Sequence, residues 1–210
     1  MSVEKAFFEQ GFRVAMDAMV EAVGKAGLHL RPETLAPGVA RRCRQAFRRI
    51  ATIVRRLIFL MALQVELPPV RPAGPRAPAT PPLTETDVED VTASFGPQPR
   101  GLALAPGKTA PPPDIVPSIV KGLYGVHKGC PVPPGPLLAR WAALHRVLKD
   151  PEAHARRLAF TLRRWRQAGE AAPVCFPLGH EHRLPRELGL VARVLPQLIR
   201  RGLETWNDTG

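Results

Sequence analysis

The chain has 210 residues, of which 25 are proline and 17 are glycine, so a large part of it is excluded from a compact core. Its formal net charge of +12 favours an anionic partner, which could be nucleic acid, an acidic membrane surface or an acidic protein. Arginine far outnumbers lysine, and arginine, alanine and proline are the residues that GC-rich codons encode. The arrangement of the basic residues is therefore more informative than their number.

The cysteines and the lengths of the apolar runs indicate the cellular compartment of the protein. Cys43, Cys130 and Cys175 follow no framework spacing, which is typical of a reducing compartment. The N-terminal apolar region contains acidic residues, so it is neither a signal peptide nor a membrane span. The longest apolar run, Leu57 to Leu63, is far shorter than the ~20 residues that cross a bilayer. We expect a cytoplasmic protein that could also lie against the inner membrane surface.

The first part of the chain, residues 1–67, is predicted to form a helical hairpin. Apolar residues at helical spacing predict a helix over residues 3–25, which Gly24 and Gly27 end, and a turn with two prolines follows. A second helix is expected from Pro37 to about residue 66. Two amphipathic helices joined by about ten residues pack most simply as an antiparallel pair.

Residues 68–114 contain thirteen prolines and are predicted to be a disordered linker. Prolines at every third position from Pro69 to Pro81 indicate a semi-rigid spacer or, alternatively, a ligand for an SH3-type domain. Within the linker, Leu83–Phe95 mixes acidic with apolar residues and could form a helical turn on binding. Its expected binding site is the arginine face of the second helix, in the same chain or in another copy.

Residues 115–210 are predicted to form a small helical bundle. Helices are expected over residues 136–149 and 151–167 and from 185 to about 206, and Asp150 followed by Pro151 is a strong helix start. Pro196 is predicted to kink the last helix or to split it. The fold class is therefore all-α, with an N-terminal hairpin, a long proline-rich linker and a C-terminal bundle. Whether the two helical parts share one core stays open.

The second helix offers the first candidate binding surface. Its arginines lie opposite its apolar stripe, and the candidate binding residues are Arg48, Arg49, Arg55 and Arg56. Phe59 and Leu63 project onto the same side as the arginines, so the last third of this helix is apolar all round and must be covered. Three interpretations remain: an ordinary hairpin helix with solvated arginines, a helix that binds a membrane or a partner helix, and a nucleic-acid contact.

The second candidate surface lies on the helix over residues 151–167. There Phe160 is surrounded by the basic residues Arg156, Arg157, Arg163 and Arg164. An exposed aromatic residue among guanidinium groups could stack on a base or anchor a protein contact. The alternative is that Phe160 packs against another helix of the same domain while the arginines extend around it.

Metal and catalytic motifs are weak. Cysteine and histidine, the usual zinc ligands, occur in two groups without a standard spacing: His127, Cys130, Cys175, His180 and His182. Four of these five residues could together bind one zinc ion, and this zinc hypothesis stays open. No catalytic motif is present, so we predict no cofactor and do not expect an enzyme. The sequence favours an interaction or adaptor protein that binds an acidic protein or an anionic membrane surface, with a protein partner or self-association. The alternative is a nucleic-acid-associated protein that uses both arginine clusters.

Overall fold

The computed structural model of the chain describes residues 3–69, 130–175 and 183–204 and Trp206. These residues form the five helices α1 (Val3–Lys25), α2 (Pro37–Gln64), α3 (Gly135–Lys149), α4 (Pro151–Gln167) and α5 (Arg186–Leu203). The described part contains no β-strand, so the all-α prediction is confirmed. Beyond Pro69, the predicted linker and its acidic segment lie outside the described residues. None of the described helices has the length and apolar character required to cross a membrane.

α1 and α2 form the predicted antiparallel hairpin. Gly11, in the first half of α1, faces Leu57 near the end of α2, and Phe8 lies across a groove from Met61. A short 3₁₀ turn follows α1 after Gly27, which has a φ of 65°. Glycine adopts this left-handed conformation without a steric penalty, so it allows the sharp change of direction between the helices.

α2 is the central helix, and it packs against each of the other four. Twelve of its residues are buried, and none of its side chains between Arg49 and Leu63 is exposed. Buried residues from all five helices form one hydrophobic cluster. The helices before and after the predicted linker therefore share a single core, which the sequence alone did not decide.

The start of α4 and the middle of α5 show how local sequence and packing combine. Asp150 Oδ1 accepts a hydrogen bond from the Ala153 N–H at 3.1 Å, which caps α4 as predicted.

α5 continues through Pro196, so the split considered from the sequence does not occur. Proline removes one backbone donor there, but Leu195 and Ile199 on either side are fully buried and hold the helix in place.

Two contacts position the ends of the segment that joins the two halves. At the start of α2, the backbones of Leu35 and Val132 exchange two hydrogen bonds of 2.9 Å. Beyond the end of α2, Arg163 Nη1 donates to the Pro68 carbonyl at 2.6 Å. Because α2 has 28 residues, these two points are about 40 Å apart at 1.5 Å per residue. The intervening chain leaves at one end of α2 and returns at the other.

Candidate functional site

Three of the four candidate arginines on α2 are partly covered by the rest of the protein. Arg48 is exposed, whereas Arg49, Arg55 and Arg56 are half-buried. Burial lowers the pKa of Arg55, and the positive charge of Arg140 lowers it further. The Nη1 atom of Arg56 is buried, and the positive charge of the Arg56 guanidinium acts to lower the pKa of the Cys175 thiol. Arg55 and Arg56 therefore face neighbouring parts of the same chain.

Phe59 and Leu63 are covered by the rest of the protein. Phe59 is 5% exposed. A Cβ atom on Gly202 of α5 would lie 3.0 Å from Leu63 Cδ1, so α5 passes directly over this part of α2. Phe59 offers no surface to a partner in this fold, and Leu63 remains half-buried beside Trp206 in a small cavity of about 260 Å³.

The candidates on α4 form one continuous surface, here called the α4 basic face, which consists of Arg156, Arg157, Phe160, Arg163 and Arg164. At 100° per residue these five positions occupy an arc of about 120°. The opposite side of α4 is buried in the core through Ala155, Leu158, Ala159 and Leu162. Phe160 is 39% exposed, so part of its side chain is open to solvent beside the arginines. The structure therefore brings all five predicted residues together.

Arginines surround the exposed ring of Phe160. The Cζ atom of Arg163 lies 5.2 Å from the centre of that ring, within the range of a cation–π contact. Arg156, Arg157 and Arg164 are exposed, and no carboxylate of the described residues forms an ion pair with them. The arginines therefore present positive charge and hydrogen-bond donors to an acidic ligand, and Phe160 adds an apolar contact.

His154 is a titratable group next to the α4 basic face. Its burial lowers its pKa, and the charges of Arg157 and Arg146 lower it further, while Asp150 acts in the opposite direction. The pKa of His154 therefore depends on the charge at Arg157 as well as on burial.

An apolar groove adjoins the α4 basic face at Arg156. The groove has a volume of about 680 Å³ and lies between the start of α1 and the end of α2, where it is lined by Phe8, Phe12, Met61 and Val65. Lys5 and Arg156 contribute positive charge to its rim, and Glu9 and Glu152 contribute negative charge. Phe8 and Phe12 are buried, with 7% and 9% exposure, so they belong to the hairpin core and line the groove from its inner side. This groove was not predicted from the sequence. Its walls come from three helices, and no local pattern signals their meeting.

A second basic surface lies at the other end of the hairpin. Lys25, Arg42, Arg49 and Arg183 line a groove of about 410 Å³ near the start of α2. Lys25 is already paired with Glu21 at 2.5 Å on α1. No exposed aromatic residue lines this groove, so it offers charge without the apolar anchor found on α4.

The zinc hypothesis stays a hypothesis. Of its five residues, Cys130 is exposed and Cys175 is half-buried, and the three histidines lie outside the described residues. Within the described ranges no three histidine, cysteine or acidic side chains are grouped closely enough to hold a metal ion. Burial raises the pKa of the Cys43 and Cys175 thiols, which lowers their thiolate fraction at neutral pH.

Comparison of the chain with protein-family models, with curated proteins and with solved structures found no match.

Proposed function

We propose that this protein is a non-enzymatic interaction protein that binds an acidic segment of a protein partner through the α4 basic face. The observation that carries the proposal is the exposed ring of Phe160 with the Arg163 guanidinium 5.2 Å away and further exposed arginines beside it. Aromatic and arginine side chains are the residues that most often dominate binding energy at protein interfaces. A cytoplasmic location belongs to the same proposal.

The burial pattern favours a protein ligand over a membrane. The apolar stripe of α2 that would enter the headgroup layer includes Phe47, Val54 and Leu57, each with 0% exposure in the core. On the α4 basic face the only large apolar side chain is Phe160, which gives little apolar area for partition into lipid. A membrane contact would therefore rest almost entirely on charge.

A nucleic-acid ligand is also less favoured. The arginines that would contact phosphates were predicted in two clusters, but three of the four candidates on α2, Arg49, Arg55 and Arg56, are half-buried. Sequence-tolerant binding of single strands uses several aromatic platforms along a basic groove, whereas the α4 basic face offers one ring. The nucleic-acid alternative remains an outcome of the test below.

The test compares wild type with three variants of the full chain for binding to a fluorescent peptide that is rich in glutamate and contains phenylalanine. Arg156→Ala with Arg157→Ala should weaken binding about 2- to 30-fold, because exposed charge contacts contribute roughly 0.2–1 kcal/mol each. Phe160→Ala should weaken it about tenfold or more, because it removes the aromatic anchor. The charge-matched control, Arg41→Ala with Arg42→Ala, changes two exposed arginines of α2 and should leave binding unchanged.

Anionic vesicles and a single-stranded oligonucleotide serve as competing ligands in the same assay. Absence of peptide binding to any form would overturn the proposal. Tight, salt-steep binding of the oligonucleotide that both double variants weaken equally would favour the nucleic-acid alternative instead. Vesicle binding in the absence of peptide binding would favour the membrane alternative.

A further inference from the structure

We infer that the acidic segment Leu83–Phe95 of this chain binds the α4 basic face within the same molecule and competes there with the partner's acidic segment. This inference rests on the proposed function, since it assigns a second ligand to the same surface. It changes the binding site expected from the sequence, which was the arginine face of α2.

Charge complementarity supports the assignment. The segment contains four acidic residues within six positions, and the chain has no basic residue between Arg76 and Arg100. The α4 basic face presents four arginines, three of which are exposed and have no carboxylate partner among the described residues. Opposite charges on the two surfaces favour their association, and the interaction weakens with salt.

The apolar residues of the segment also have a complementary surface. Leu83, Val88, Val91 and Phe95 alternate with the acidic residues in the sequence. The groove lined by Phe8, Phe12 and Met61 begins at Arg156, at the end of the α4 basic face. A ligand with both acidic and apolar side chains can therefore contact the arginines and the groove together.

The point at which the chain departs after α2 allows the segment to reach this surface. Arg163, a member of the α4 basic face, donates to the carbonyl of Pro68 at 2.6 Å, so the chain departs toward the segment from the face itself. The stretch between Pro69 and Leu83 reaches at most ~45 Å at ~3.4 Å per residue. The face itself is only ~10 Å long from Arg163 to Arg156 at 1.5 Å per residue. A tether of this length gives an effective concentration of order millimolar.

The arginines of α2 fit the segment less well. Arg55 and Arg56 are half-buried and face other parts of the chain. The exposed pair Arg41 and Arg42 lies near the start of α2, roughly 35 Å from the helix end at which the chain departs. The α4 basic face is therefore nearer to Pro68, from which the chain continues to the segment.

The experiment uses the full chain with its four acids neutralised by Glu85→Gln, Asp87→Asn, Glu89→Gln and Asp90→Asn. The probe is a fluorescent peptide with the sequence of Leu83–Phe95, titrated at low and at high salt. The neutralised chain should bind the probe, and wild type should bind it about 5- to 10-fold more weakly, as expected when the intramolecular segment occupies ~80–90% of the sites. Adding Arg156→Ala and Arg157→Ala to the neutralised chain should reduce probe binding.

A control chain with four other acids neutralised, Asp17→Asn, Glu21→Gln, Glu33→Gln and Glu187→Gln, should bind the probe as weakly as wild type. Equal affinity of wild type and neutralised chain would overturn the inference and leave the proposed function standing. Binding of an unrelated acidic peptide by the neutralised chain, without binding of this probe, would also overturn the inference and leave the proposed function standing. If the neutralised chain binds no acidic peptide, the proposed function itself fails. A wild-type dimer that neutralisation dissociates would assign the segment to a second copy and overturn the intramolecular assignment.

Discussion

A Cβ atom on Gly11 of α1 would lie 2.9 Å from Cδ2 and 3.2 Å from Cδ1 of Leu57 on α2. Real Cβ atoms essentially never approach a neighbour to 2.9 Å, and Leu57 has 0% exposure in the core, so its methyl groups have little room to move. The absence of a side chain at residue 11 therefore allows α1 to lie close to the central helix.

We predict that Gly11→Ala lowers the free energy of unfolding by about 1–2 kcal/mol, because the cost of overpacking exceeds the gain in helix propensity. Urea unfolding followed by circular dichroism measures the change. Gly24→Ala in the same helix is the matched control, since no atom lies within 4 Å of its Cβ position. This variant should be neutral or more stable by about 0.5 kcal/mol. Equal effects of the two substitutions would contradict the close approach at Gly11.

The helices and the hairpin could be predicted from the sequence because their signals are local. Apolar spacing indicates where the helices lie, the Asp150 cap marks the start of α4, and Gly27 follows the end of α1. The shared core could not be predicted, because the contacts that α2 makes with α4 and α5 join residues that are roughly 90 to 165 positions apart in the sequence. The all-round apolar turn near Phe59 did indicate that α2 needs more than one neighbour. It did not identify α5 as the helix that passes over Leu63.

The candidate binding surface could likewise be predicted only in part from the sequence. Sequence periodicity placed Phe160 among arginines, and the structure adds that its ring is exposed. The periodicity of α2 placed Arg48, Arg55 and Arg56 on one side of a helix, but it carries no information on which helices cover that side. Burial is a property of the packed bundle, so only the structure separates exposed Arg48 from half-buried Arg55 and Arg56.

Ile50 tests whether the apolar stripe of α2 belongs to the core. Its side chain is 3% exposed, so Ile50→Glu should lower the free energy of unfolding by at least about 3 kcal/mol, because it buries a carboxylate without a partner. Arg48→Glu, two positions away on the exposed side, should leave stability within about 0.5 kcal/mol of wild type. Thermal unfolding by calorimetry compares the two. An Ile50→Glu chain as stable as wild type would contradict the core position.

Trp206 anchors the end of the chain against α4. Its side chain is 3% exposed, its Nε1–H donates to the Glu170 carbonyl at 3.0 Å, and Arg166 lies over the ring at 4.9 Å. Trp206→Ala should lower the free energy of unfolding by about 3–5 kcal/mol, because it leaves a cavity. Trp206→Phe keeps most of the buried ring and loses the hydrogen bond, at a cost of roughly 1 kcal/mol. Similar destabilisation by both variants would show that ring burial is not the main contribution.

The three cysteines should react with a disulfide reagent at different rates. Cys130 is exposed, Cys175 is half-buried and Cys43 is buried, and burial raises the pKa of the last two thiols. At pH 8 we expect one fast reaction at Cys130, a slower one at Cys175, and reaction of Cys43 only on unfolding. Cys130→Ser should remove the fast phase alone, as followed by thiol titration with mass spectrometry. Labelling of Cys43 at the rate of Cys130 in the folded protein would contradict its burial.

The pKa of His154 depends both on the burial of its side chain and on the charge of Arg157 on the α4 basic face. Burial favours the neutral imidazole in the folded protein, so the folded-state pKa lies below the unfolded value of about 6.5. The stability that this shift contributes is present above the unfolded pKa and is lost as the pH falls through the folded one. His154→Gln should therefore reduce the loss of stability between about pH 7 and pH 5, as measured by urea unfolding across that range.

Charge on the α4 basic face should also change this pKa directly. Arg157→Ala removes a positive charge that lowers the pKa of His154, so the imidazole should titrate at a higher pH in NMR spectra of the variant. Arg164→Ala, also on the α4 basic face, is the control, since its charge is not among the causes of the shift. Binding of an acidic peptide near Arg157 offsets the same positive charge, so saturating peptide should raise the pKa of His154 in wild type. An unchanged titration in the presence of bound peptide would place the ligand away from Arg157.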